Sequence, residues 1–129
     1  MTNLKRQDLI YPELSYRILG CAYKVHNELG GGLKEDVYQK ALALEFQKQS
    51  IQFNEQQGIP VEYGGKIIKR KRGDYVVENL ITVEIKSGKR IRYKDFKQTK
   101  EDLILQNYKL GLLIVFGREH VTHKRVLNL

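Results

Sequence analysis

Gly73-Asp74-Tyr75-Val76-Val77-Glu78-Asn79-Leu80-Ile81-Thr82-Val83-Glu84-Ile85-Lys86 sets two short β-branched runs on either side of a polar pair, with one Asp opening the first and a Glu and a Lys closing the second. Side chains alternate faces along a strand, so Ile81, Val83 and Ile85 are expected on one face and Thr82, Glu84 and Lys86 on the other. Glu78-Asn79 suits a tight turn, and the whole run reads as a hairpin. Folding it back brings Asp74 toward Glu84 and Lys86. Two carboxylates converging beside an ammonium can hold Mg²⁺ or Mn²⁺ through oxygen ligands, while the lysine orients water and offsets phosphate charge. On spacing alone, the simpler reading is an amphipathic hairpin whose wet face carries Glu78, Glu84 and Lys86 as solvated charges or a weak ion pair.

The charge distribution bears on that choice. The chain has 129 residues and a formal net charge of +8. Residues 66–100 hold Lys66, Lys69, Arg70, Lys71, Arg72, Lys86, Lys89, Arg90, Arg92, Lys94, Lys97 and Lys100 against Asp74, Glu78, Glu84 and Asp95, so the whole excess flanks the hairpin. A polyanion would be drawn to this region, which favours a nucleic-acid substrate. Basic loops that serve solubility, or that bind nucleic acid without chemistry, are the alternative.

Length and composition fit one domain over residues 1–129, with 41% apolar and 29% charged residues. The lone Cys21 excludes an internal disulfide and a cysteine-built zinc site, and a cytoplasmic, reducing compartment is expected. No run approaches the length of a membrane span, and no membrane association is expected.

Along the chain, Tyr11-Pro12-Glu13 opens a helical pattern with Leu14, Ile18, Ala22, Val25 and Leu29 on one stripe, stopped by Gly30-Gly31-Gly32. A second helix is predicted over 34–49, with Val37, Tyr38, Ala41, Leu42 and Phe46 apolar. Strands follow at 51–55, 59–63 and 66–71, with Gly64-Gly65 as a hairpin turn. A third helix over 93–108 carries Lys97, Gln98 and Glu101 on its polar face. Leu110-Gly111-Leu112-Leu113-Ile114-Val115-Phe116 is too continuous for a half-exposed strand and suits a central one, and residues 121–127 form a last strand. The order predicts an α/β sandwich with a mixed central sheet flanked by helices. The glycines at 30–32 lack the context of a phosphate loop. His120 and His123 read as surface residues.

Gly32-Leu33-Lys34-Glu35-Asp36-Val37-Tyr38 has the spacing G-x-x-E-x-x-Y. With His26-Asn27-Glu28-Leu29-Gly30, the segment 56–61, Tyr63-Gly64-Gly65, the Asp74 strand, Val83-Glu84-Ile85-Lys86, Gln98 and the Gly111 to Gly117 segment, the chain resembles the GxxExxY family over residues 26–125. That family is a branch of the PD-(D/E)XK nuclease-like superfamily. The resemblance implies a PD-(D/E)XK nuclease-like sandwich in which Asp74 and Glu84 bind metal and Lys86 is the catalytic lysine. It also implies that Glu35 is the acid contributed from the N-terminal helix and Gln98 the glutamine that relatives carry on the helix after the lysine strand. Without it, Glu35 reads as a first-turn carboxylate favoured by the helix dipole and Gln98 as an exposed helix residue. Three positions depart from the pattern: Gly73 replaces a proline, Asp102 a tyrosine and Asp95 a histidine.

These readings lead to a Mg²⁺- or Mn²⁺-dependent nuclease that hydrolyses phosphodiester bonds, with DNA expected ahead of RNA. Asp74, Glu84, the Ile85 carbonyl and Glu35 would be the ligands. Lys69, Arg70, Lys71, Arg72, Lys89, Arg90, Arg92, Lys94 and Lys97 would grip the backbone without reading sequence. A catalytically weak or inactive binding module and a junction-resolving endonuclease are the rivals. A chain this small leaves room for a homodimer or a protein partner to contribute specificity.

Overall fold

A computed structural model of the chain describes residues 9–56, 59–71, 74–88 and 90–129, and the side chains of all of these except 59 and 69–71. The chain runs α1 (Pro12–Leu29), α2 (Glu35–Lys48), β1 (Phe53–Glu55), β2 (Ile59–Tyr63), β3 (Lys66–Lys71), β4 (Tyr75–Val77), β5 (Ile81–Ser87), α3 (Tyr93–Gln106), β6 (Leu110–Phe116) and β7 (Val121–Leu127). Five strands form one sheet in the order β1-β4-β5-β6-β7, and β2 pairs with β3 in a separate two-stranded sheet. Among the described residues only β5 and β6 pair in parallel, because α3 carries the chain back between them; the other pairs are antiparallel.

Pro12 opens α1, where its missing N–H costs nothing, and Ile18, Cys21, Ala22 and Val25 are buried at helical spacing. They meet Tyr38, Leu42 and Phe46 of α2, the inward residues Ile81, Val83 and Ile85 of β5, and Leu110, Leu112, Ile114 and Phe116 of β6 in one core. The apolar stripe is narrower than the periodicity predicts. Leu29 sits at the last turn of α1 and is exposed, and so is Val37, because Tyr38 takes the inward position one residue further round.

The opposite sheet face is also covered. A Cβ built on Gly111 of β6 would lie 3.0 Å from Thr82 Oγ1 and 3.0 Å from Thr99 Cγ2 of α3, so α3 packs closely over β5 and β6. The expected wet face of the hairpin is therefore mostly dry: Thr82 is buried and Glu84 is only 8% exposed. Alternation read on one hairpin cannot register a helix that returns from later in the chain.

The glycine stop is a built corner. Gly30 has φ +78° and its N–H donates to the His26 carbonyl at 2.8 Å, while a Cβ on Gly31 would lie 2.0 Å from the Arg118 carbonyl oxygen. Tyr38 locks this corner from inside. Its hydroxyl donates to the Gly30 carbonyl and accepts from the Leu33 N–H, and its ring stacks on Phe116 with centroids 4.4 Å apart. His26 Nε2 lies 2.8 Å from the Gly117 carbonyl oxygen and adds a second tie between the two loops. Tyr38 and His26, both inside the motifs singled out in the sequence, thus serve the scaffold.

Candidate active site

Asp74 sits immediately before β4, and the register Tyr75↔Val83 sets it beside the Glu84 end of β5. Its backbone N–H donates to the Val83 carbonyl at 3.2 Å, and its Oδ2 accepts the Ile85 N–H. Oδ1 accepts from the Gln39 side chain, and the Tyr75 hydroxyl donates to the Gln39 carbonyl. The carboxylate is thus oriented by one strand amide and one α2 side chain. Glu84 lies on the sheet face that α3 covers, where Thr99 Oγ1 donates to its Oε2 at 2.7 Å.

Both acids are electrostatically strained. Burial pushes the Asp74 pKa from 3.8 to about 6, the nearby Glu35 charge pushes the same way, and the Ile85 N–H, Lys86 and Gln39 oppose it. Glu84 is raised well above the usual carboxylate range, first by burial and then by the carboxyl of Asp102, which shares a hydrogen bond with it. Asp102 is itself only 2% exposed. A second carboxyl in contact adds to the cost of ionising Glu84, which therefore favours its protonated form.

Glu35, Gln39, Asp74, Glu84, Ile85, Lys86 and Gln98 line one cleft of about 340 Å³. Glu35 and Gln39 come from the first turns of α2, Gln98 from α3 and the rest from the β4–β5 end. All five expected catalytic residues therefore share one cavity. Gln39, Thr99 and Asp102 were missed in sequence. Gln39 had a signal, since it lies four residues after Glu35 and so on the same helix face. Asp102, at a position where a substrate contact was in question, lies buried behind the cleft against Glu84. Asp95 serves the helix instead, since its Oδ2 accepts the Arg92 N–H at 3.1 Å at the start of α3.

Among the described residues, none of the expected backbone-gripping side chains lines the cleft. Arg90, Arg92, Lys94 and Lys97 are exposed around the start of α3, with Lys97 Nζ 5.7 Å from the Tyr93 ring centroid. Lys69, Arg70 and Lys71 lie on β3 with their side chains outside the described residues, and Arg72 and Lys89 fall outside them altogether. His120 and His123 are exposed.

Among the described residues, no three His, Cys, Asp or Glu side chains are gathered closely enough to hold a metal ion. Asp74 and Glu84 can therefore supply two carboxylates, and Glu35 lines the cleft without completing a three-acid cluster. The donor set nonetheless suits a hard dication. It consists of oxygens, and the two acids are desolvated in a way that a positive charge would offset.

The family model of the PD-(D/E)XK nuclease superfamily matches residues 12–126, and the chain belongs to that superfamily. The solved structure of SSO0001 is similar with a TM-score of 0.56 and 20% identity, over 73% of this chain and 50% of that one. This chain therefore spans half the length of that protein, and the likeness concerns the fold. No curated protein matches the chain. Among the described residues, no helix is long and apolar enough to cross a membrane.

Proposed function

We propose that the chain is a nuclease of the GxxExxY branch that hydrolyses phosphodiester bonds in nucleic acid, DNA ahead of RNA, with Mg²⁺ or Mn²⁺. The observation that carries this reading is the convergence of Asp74, Glu84, Lys86, Glu35 and Gln98 on one cleft. Asp74, Glu84 and the Ile85 carbonyl would hold the ion. When bound, it would polarise the phosphate and lower the pKa of the attacking water. Lys86, two residues after Glu84 and so on the same strand face, positions that water and offsets charge developing on the phosphate. Gln39 and the Ile85 N–H fix the Asp74 carboxylate, and Thr99 fixes that of Glu84, so neither acid reorients as substrate arrives. Exposed Arg90, Arg92, Lys94 and Lys97 hold the backbone.

The Asp102 contact favours a second reading, a weakly active or inactive binding module, because a proton retained on Glu84 opposes cation binding. Cleavage of DNA and RNA by the purified protein with Mg²⁺, Mn²⁺ or EDTA decides between them. The nuclease reading expects metal-dependent cleavage that falls about 10²–10³-fold or more in Glu84→Ala and in Lys86→Ala. Salt-sensitive binding without cleavage, unchanged by both substitutions, would establish the binding module instead.

A further inference from the structure

The β2–β3 ribbon has no role in the site described above and is exposed in an unusual way. Among the described residues its strands pair only with each other, in the register Tyr63↔Lys66 and Glu62↔Ile67, with a bulge at Val61/Glu62. Tyr63 is 77% exposed, Ile67 50% and Ile68 65%, so large apolar side chains stand in solvent on a ribbon that, among the described residues, adds nothing to the core. Lys66, Lys69, Arg70 and Lys71 accompany them against a single acid, Glu62, which gives residues 59–71 a net charge of +3.

Both legs of the ribbon are rooted beside the cleft. Gln56, three residues before β2, donates its backbone N–H to the Asp74 carbonyl at 3.1 Å. On the other side only two residues separate Lys71 from Asp74, so the end of β3 lies within about 11 Å of that acid. The five residues of β2 span about 17 Å along the strand.

We propose that the β2–β3 ribbon enters the major groove of duplex DNA while the neighbouring backbone reaches the Asp74–Glu84 cleft, so that the substrate class is double-stranded DNA. The proposal rests on the nuclease reading for its cleft and on the ribbon for its groove. A two-stranded ribbon fits the roughly 12 Å major groove and is too wide for the roughly 6 Å minor groove. The net charge of +3 complements the phosphates that line the groove, and exposed Tyr63 and Ile68, which share one ribbon face with Lys66, supply apolar contact to base edges and thymine methyls. The apolar exposure is thereby explained by an occupant that is flanked by phosphates.

The test is anisotropy titration of the full chain in EDTA, at fixed salt, with a labelled duplex and with its single strand. In a Tyr63→Ser/Ile67→Ser/Ile68→Ser variant, duplex affinity is expected to fall about tenfold or more, with single-strand affinity within about twofold of wild type. Wild type is also expected to bind a duplex carrying glucosylated hydroxymethylcytosine, whose bulk fills the major groove, about tenfold more weakly than the plain duplex. This second measurement needs no variant. Equal duplex affinity in variant and wild type, or equal losses on both substrates, overturns the proposal, as does indifference to the glucosyl groups. A wild-type dimer in sedimentation that becomes monomeric in the variant also overturns it and makes the ribbon a contact between copies. Absence of Mg²⁺-dependent cleavage with the expected binding pattern intact would remove the nuclease reading and leave the ribbon's role standing.

Discussion

β4 with β5, and β2 with β3, are both antiparallel pairs joined by tight turns of two left-handed residues, Glu78 and Asn79 in one and Gly64 and Gly65 in the other. β5 is buried on both faces for most of its length, between the α1–α2 layer and α3, whereas β2–β3 lies outside the five-stranded sheet and exposes Tyr63, Ile67 and Ile68. A polar residue on a strand is informative only once its cover is known. Glu84 under α3 is a desolvated acid, and Glu62 on the ribbon is an ordinary exposed one.

The two strand pairs should differ most in stability. Ile81→Ala, in the dry pair, should cost about 2–5 kcal/mol in urea unfolding, while Ile67→Ala, on the ribbon, should change stability by less than about 0.5 kcal/mol. Comparable losses at the two sites would mean that the ribbon packs like a core strand.

A smaller effect follows from the acid that ends the buried pair. The folded-state pKa of Asp74 lies above its unfolded value, so its proton is bound more tightly in the folded protein. The associated stability is fully present below about pH 4 and is lost as pH rises through about 6. Without divalent cation, wild type should therefore lose up to about 3 kcal/mol over that window relative to Asp74→Asn. Equal pH slopes in the two proteins would contradict the desolvation of Asp74. Of comparable size, Gly111→Ala pushes a methyl against Thr82 and Thr99 and should cost about 1–3 kcal/mol. Because Thr99 holds Glu84, cleavage should fall with it, measured at a temperature where the variant is fully folded.

Local pattern carried much of this in advance. The stripe of α1 and its glycine stop, the Gly64-Gly65 turn, the continuous run of β6 and the approach of Asp74 to Glu84 each depend on residues close in sequence. What escaped depends on pairing across the chain. Nothing near Phe53 says that β1 pairs with β4, and nothing in β5 says that Thr99 and Asp102 will close over Glu84. Gln39 lay between these cases: its helical spacing from Glu35 was readable, but its hydrogen bond to Asp74 was not.

The burial of Cys21 has a practical corollary for the ribbon. Desolvation raises its thiol pKa from 9.0 to about 11, so at neutral pH the native chain presents almost no thiolate to an alkylating reagent. A cysteine introduced at Lys66, exposed at the ribbon turn, would be the single reactive thiol of the protein. A dye or spin label attached there would test whether the ribbon meets DNA, without first removing a native cysteine.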